Sequence, residues 1–276
     1  MTAEIASHEG PSFPDERQER IAEMVTTRGK VRIAQLTDLF GVSEPTVRKD
    51  LTLLEQRGLL KRTHGGAVSI RPPVEQAMAS RIAENAEAKR QIAKACIQLL
   101  SPGEAVFFDS GTTVHQIAQA LAGSGLRLTV LTDSPSIAEA VADLPGVSHL
   151  LIGGQLRRIS DCLIGPLTTE NLKQFAISTA FIGASGLSET GVTVSDLSEA
   201  QLKAAVVAKA QRVILPIDHT KVGVSDFARV CDISDLDMIV TDKVTDRLEK
   251  LCRATQVKVM AAQADGSRRD VKDSSL

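Results

Sequence analysis

The sequence predicts an α/β chain in two parts, a short basic helical segment followed by a larger α/β domain with a mostly parallel sheet. Three observations carry this expectation. Between residues 28 and 71, nine basic residues face four acids (Asp38, Glu44, Asp50, Glu55), a local excess of +5. The whole chain carries −2, so the remainder carries −7. Apolar residues in the basic segment recur at helical spacing, whereas beyond it short runs rich in Val and Ile alternate with amphipathic stretches. That second pattern is the mark of strands covered by helices on both faces.

A length of 276 residues suits one large domain and one small one, and 43% hydrophobic residues suffice for a sizeable core. No apolar run is long enough to span a bilayer, and residues 1–8 lack the basic and apolar regions of a secretory signal. The four cysteines (Cys96, Cys162, Cys231, Cys252) form no CxxC and fit a reduced cytoplasm as small hydrophobes. Trp and Tyr are absent, which argues against a protein that grips single strands or sugar rings by stacking. No metal-ligand spacing such as HExxH is present, and no cofactor or metal is expected.

Residues 1–13 read as a disordered tail. Pro14, with Asp15 and Glu16 behind it, opens a helix whose apolar stripe is Ile21, Met24 and Val25, and Gly29 is placed to end it in a left-handed turn. Val31-Arg32 reads as a very short strand. A second helix over residues 33–40 buries Ile33, Leu36 and Phe40. After the break Gly41-Val42-Ser43, Ser43 is a suitable N-cap and Pro45 falls in the first turn of a third helix, which buries Val47, Leu51 and Leu54. Two short helices joined by a tight turn form the motif that sets its second helix in a major groove. On the opposite face of that helix Arg48 suits guanine or phosphate, Ser43 and Thr46 suit backbone oxygens or a thymine methyl, and Lys49 adds charge. Residues 59–68 read as a wing, a hairpin with a basic first strand (Lys61, Arg62) and a turn at His64-Gly65-Gly66. The segment 14–68 is thus a winged helix-turn-helix domain. Such modules also serve protein contacts, but the +5 excess favours double-stranded DNA.

The string VSEPTVRKDLTLLEQRGLLKRTHGGAV (residues 42–68) resembles the DeoR/GlpR-type bacterial transcription regulators, whose DNA-binding domain reads VSexTIRRDLxxLexxGxLxRxHGGA. Val47 and Lys49 stand here for Ile and Arg; Lys49 lacks the bidentate fork.

Residues 69–88 read as a linker or hinge, with an Ala-rich helical pattern over 75–94. In the domain that follows (89–262) the expected strands are 105–108, 128–131, 148–152, 179–182, 213–217, 238–240 and 257–261; residues 263–276 read as a frayed tail. Ligands of open α/β sheets lie beyond the carboxyl ends of the strands. Those ends carry Asp109-Ser110-Gly111-Thr112-Thr113, then Thr132-Asp133-Ser134, Gly153-Gly154, Gly183-Ala184-Ser185-Gly186 and Asp218-His219-Thr220-Lys221. Each loop alone is ordinary turn chemistry. Together they describe a pocket for a phosphorylated polyol, its phosphate on helix N-termini and its hydroxyls on the acids.

This half also resembles the DeoR-type effector domain, through DSGTT (109–113), GG (153–154), GP (165–166), FIGASG (181–186), GVT (191–193), Glu199-Ala200 with Lys203, and DHTK (218–221). The resemblance implies a ribose-5-phosphate-isomerase-like fold and phosphate contacts by Ser110, Gly111, Thr112 and Thr113, with Lys203 and Lys221 nearby. Two departures stand out: the family's VTNS is LTDS here, placing Asp133 where an amide is usual, and Thr220 replaces a Ser. The expected function is a sequence-specific regulator, a repressor of a carbohydrate-catabolism operon that senses a phosphorylated sugar as a homo-oligomer. The rivals are a sugar-phosphate isomerase fused to a DNA-targeting domain, with Asp109, Asp133 or Asp218 as base, and a protein-interaction scaffold.

Overall fold

The computed structural model describes residues 14–28, 30–69, 78–262 and 268–270, and the chain divides into two compact units, Met1–Gln76 and Ala77–Leu276. The expected tail at 1–13, the Gly29 cap and residues 70–77 of the hinge lie outside the described residues, whereas 78–88 of the stretch read as hinge belong to the second unit.

In the first unit α1 (Pro14–Arg28), β1 (Lys30–Arg32), α2 (Ile33–Phe40) and α3 (Glu44–Gln56) precede the wing strands β2 (Lys61–Thr63) and β3 (Gly66–Val68). Ile21, Val25, Leu36, Val47, Leu51 and Leu54 form one core with Leu60 and Ala67, so the periodicity marked the correct faces. The wing is a three-stranded sheet in the order β1-β3-β2 because β1 also pairs with β3. Its turn is His64-Gly65, with Gly66 already in the strand. One polar knot lies inside this unit: buried Asp50 of α3 accepts from Arg17 at 2.7 Å and Gln18 at 3.0 Å, tying α3 to α1.

The second unit begins with α4 (Met78–Ala83) and α5 (Ala86–Ile97). The expected single helix breaks at Asn85, which adopts a left-handed conformation (φ 50°) that Asn tolerates better than most residues. There follow β4 (Ala105–Phe108), α6 (Thr112–Ala120), β5 (Leu128–Thr132), α7 (Pro135–Val141), β6 (Val147–Leu151), β7 (Gln155–Arg157), β8 (Cys162–Ile164), α8 (Pro166–Leu172) and β9 (Thr179–Phe181). The chain continues with β10 (Gly186–Ser188), β11 (Gly191–Val194), α9 (Leu197–Lys209), β12 (Arg212–Pro216), β13 (Ala228–Cys231), β14 (Met238–Thr241), α10 (Asp246–Thr255), β15 (Lys258–Ala262) and β16 (Arg268–Asp270).

All seven expected strands are present within a residue or so of the expected bounds and form one parallel sheet, β15-β14-β12-β9-β4-β5-β6, which β16 extends antiparallel at the β15 edge. Part of the tail read as frayed is therefore a strand. The sequence reading also missed a small antiparallel sheet, β10-β11-β13, and the β7–β8 hairpin, whose strands of three or four residues carry too little alternation to register. Successive residues of the central strands feed opposite faces: Val106 and Phe108 join one core, Phe107 the other. All four cysteines are buried and free, and burial pushes the Cys252 thiol up to about 11. Among the described residues no helix is long and apolar enough to cross a membrane.

The strand order places the site. From β4 the chain runs outward through β5 to β6, then returns to lay β9 on the other flank of β4 and continues away from it. Neighbours β4 and β9 thus flank a topological switch point, where the loops beyond their carboxyl ends diverge and open a crevice.

The buried Asp50 knot yields the first prediction. Asp50→Ala removes the buried carboxylate that accepts from both Arg17 and Gln18 and costs about 3–5 kcal/mol. In the full chain a low-temperature unfolding phase and early proteolysis of the first unit are expected, with the main transition unmoved. A single transition at the parent's temperature would refute the role given to Asp50.

Candidate functional site

On the first unit the third helix offers Ser43, Arg48 and Lys49 to solvent, with Thr46 half-buried. Ser43 does not cap through its side chain. It occupies the N-cap position, but its hydroxyl lies 2.9 Å from that of Thr46. Arg48 folds back on Glu44 at 2.5 and 2.9 Å. An exposed i,i+4 pair of this kind is worth only about 0.3–0.5 kcal/mol, so a base or phosphate can displace it. Arg62 donates to Thr52 Oγ1 at 2.7 Å, and its backbone N–H reaches Glu55 Oε1 at 2.7 Å, which fastens the wing to α3. His64 is exposed at the wing tip.

In the second unit Ser110, Gly111, Thr112 and Thr113 pass from β4 into α6 and line a cleft with Gly183, Ala184, Ser185, Glu199, Lys203 and Lys221. Gly111 occupies the N-cap with φ 135°, a region that side chains rarely enter. It leaves the N-terminal amides of a nine-residue helix facing the cleft. Gly183 at the end of β9 lies so close to this loop that a Cβ there would stand 2.3 Å from the Ser110 carbonyl oxygen.

Behind the loop Asp109 is fully buried; its Oδ2 accepts from Lys203 Nζ at 2.5 Å and from the Gly183 amide at 2.6 Å. Asp133, 1% exposed, accepts from the Ser110 amide at 2.8 Å. Both acids brace the loop from beneath and are absent from the cleft lining. Lys203 also approaches the Ser110 hydroxyl at 3.3 Å. Burial works against its charge, but the Asp109 carboxylate in contact with it, with the acids Asp133 and Glu199 beyond, outweighs that cost and holds it protonated.

Across the cleft Lys221 donates to the Ala184 carbonyl at 2.9 Å, and burial lowers its pKa. Asp218, fully buried, accepts from Asn85 at 3.2 Å and from Thr220, so it too stands behind the lining. His219 is paired with Asp242 at 2.6 Å. Besides Asp109, Asp133 and Asp218 behind the lining, three further expected residues are not brought to the cleft. Ser134 caps α7 and donates to Asp161 at 2.8 Å; Gly154 packs against Thr168 and Gly186 against the Val224 backbone.

Four residues that the sequence reading did not place at the site reach it or its border. Arg81 of α4 lines the cleft, and its Nε and Nη2 are buried with no hydrogen-bond partner among the described residues. Lys89 of α5 donates to the Arg81 carbonyl, and burial together with Lys221 lowers it to about 8. Asn85 ties the α4–α5 corner to Asp218 and Thr220. Glu199 lines the cleft with its Oε1 on Arg157 at 3.1 Å. Arg81 lay in a stretch read as a connector, where its charge was the one hint of a role.

Residues 84–243 match the DeoR C terminal sensor domain, and residues 17–72 match the DeoR-like helix-turn-helix domain. The chain belongs to the DeoR family. It is accordingly a DNA-binding transcriptional regulator. Among relatives of this DeoR protein, the HTH-type transcriptional regulator GlpR of Haloferax volcanii is 35% identical over 85% of this chain and 92% of its own. The lactose phosphotransferase system repressor of Streptococcus mutans is 31% identical over 88% of this chain and 98% of its own. In known structures, ribose 5 phosphate isomerase A from Neisseria gonorrhoeae is 16% identical over 50% of this chain and 53% of that one, with a TM-score of 0.35, too loose a likeness to carry an argument.

The contact between Gly183 and the loop gives the second prediction. Gly183→Ala forces the 110–113 loop outward at a cost of about 1–3 kcal/mol. The thermal midpoint should fall and added sulfate should protect less than in the parent. An unchanged midpoint would show that the two loops are not in contact.

Proposed function

We propose that this regulator is a repressor of a carbohydrate-catabolism operon, controlled by a phosphorylated sugar held in the cleft of the second unit. The observation that carries the reading is the set of cations around the 110–113 loop. Arg81, Lys203 and Lys221 line one small cleft, and two buried nitrogens of Arg81 have no hydrogen-bond partner among the described residues. Buried donors without acceptors cost free energy that an anion would relieve. A phosphate on the amides and hydroxyls of Ser110, Gly111, Thr112 and Thr113 meets all three cations, while Ser185 and Glu199 remain for sugar hydroxyls. Asp109, Asp133 and Asp218 support this shell from behind. A relative named as a repressor of a lactose phosphotransferase system supports the carbohydrate assignment.

A binding role is favoured over isomerisation. Proton abstraction needs a carboxylate or imidazole within hydrogen-bond reach of substrate. The one carboxylate among the described lining residues, Glu199, has Oε1 engaged by Arg157. In this reading the protein works in the cytoplasm, and its single small reading head calls for a dimer or higher oligomer on repeated half-sites. Ser43, Thr46, Arg48 and Lys49 face the major groove, with Arg62 and His64 on the flanking phosphates. Effector and operator then couple through the linker by about 1–3 kcal/mol.

Two substitutions test the assignment separately. Arg48→Ala should weaken operator binding at least tenfold at matched salt and leave sugar-phosphate protection against heat intact. Lys221→Ala should keep operator affinity and lose both that protection and the response of the DNA complex to sugar phosphates. Turnover of any sugar phosphate in a screened panel would instead favour the enzyme, and a normal response in Lys221→Ala would place the effector elsewhere.

A further inference from the structure

The shell beneath the anion loop holds more acids than bases. Asp109 has Lys203 at 2.5 Å, and Glu199, one turn before Lys203 on α9, has Arg157 at 3.1 Å, which it shares with Asp196 at 3.3 Å. Asp133, at the end of β5, has no cation of its own in contact among the described residues; its Oδ1 takes the amide of Ser110, the first residue of the loop. Cys162 of β8 adds a neutral thiol 3.7 Å from Glu199. Asp133 is 1% exposed, so water does not screen it. Of the two carboxyls nearest the loop, Asp109 takes a lysine and an amide on one oxygen and is the better site for charge.

We propose that Asp133 makes anion binding in the cleft a proton-linked event: its carboxyl is neutral when a doubly charged group sits on the 110–113 loop, and affinity falls when that proton leaves. This inference rests on the anion-cleft reading above and adds a residue that sets which total charge the cleft accepts. Burial first, and then the charge of Asp109, raises Asp133 to about 8, against a smaller opposing pull from Lys203, which places the proton within reach of physiological pH. An ionised Asp133 would set a second negative charge one residue from the anion, on the amide that begins its binding loop. An amide at this position would give the same hydrogen-bond acceptor without the charge.

The test uses sulfate, which keeps its charge between pH 7 and pH 9, and Asp133→Asn, which is nearly isosteric. Lys221 lines the other side of the cleft, Lys89 is buried behind it on the Arg81 carbonyl, and both lose charge toward alkaline pH, so the comparison is between two full-length proteins that retain both lysines. Sulfate affinity, from the rise of the thermal midpoint with concentration, should fall about tenfold more from pH 7 to pH 9 in the parent than in Asp133→Asn. Without ligand, the sign follows from the raised carboxyl. Its contribution to stability is present at acid pH and is lost as pH climbs through about 8, so the parent should lose midpoint relative to Asp133→Asn over that range. Parallel ligand-free profiles would overturn the proposal whatever sulfate does. Diverging ligand-free profiles with parallel sulfate profiles would overturn the link to the anion. No protection of either protein by sulfate at pH 7 would overturn the anion-cleft reading, and this inference with it.

Discussion

The ion pair between Lys203 and Asp109 is the contact on which the second unit's site depends. It joins the middle of α9 to the end of β4 inside the protein, at the switch point of the sheet. Two charges removed from water are costly, and such a pair is weak evidence for stability unless its remaining groups are satisfied. Here the neighbouring Gly183 amide shares the same carboxylate oxygen, while the other oxygen of Asp109 is buried without a hydrogen-bond partner among the described residues. The pair therefore fixes three things at once: the register of α9, the path of the 110–113 loop and the approach of the β9 end. Every cleft group described above sits on one of those segments or on the 218–221 and α4–α5 segments that close the opposite side.

Much of this was legible in the chain because strands buried on both faces leave continuous apolar runs, and the residues directly after them are where ligands gather. Runs such as 105–108 and 179–182 located the sheet, and the hydroxyls and glycines behind them located the loop. The finer distinctions were not legible. Asp109, Asp133 and Ser185 look alike in sequence as polar residues after strands, yet the first two are pressed behind the loop and the third lines the cleft. Burial depends on the packing of α9, which no local pattern encodes. Ser134 was read as a ligand group because a hydroxyl before a helix suits an anion; the same chemistry makes it an N-cap, and Asp161 occupies it.

Arg81 was hidden for a different reason. It reaches the cleft from a helix outside the strand-loop-helix units, carried there by the turn at Asn85. Helical periodicity over 75–94 was real, but a continuous helix and a bent one share it. In the first unit the opposite held. A compact three-helix core with period 3.6 leaves little room for alternatives, and the faces read from sequence are those that pack. The polar knot of Arg17, Gln18 and Asp50 was the part missed there, since a lone acid on a helix is usually solvated.

The left-handed residue between α4 and α5 has a mechanical meaning. Asn85 is fastened by its amide to Asp218 and Thr220, the loop that also carries Lys221, while Lys89 one turn later grips the last turn of α4 through the Arg81 carbonyl. The bend is thus a clamped elbow whose clamp and whose ligand-facing lysine share four consecutive residues. Whatever pulls Lys221 from the Ala184 carbonyl tugs on the elbow too, and α4 is the first described helix after the stretch leading from the DNA-binding unit.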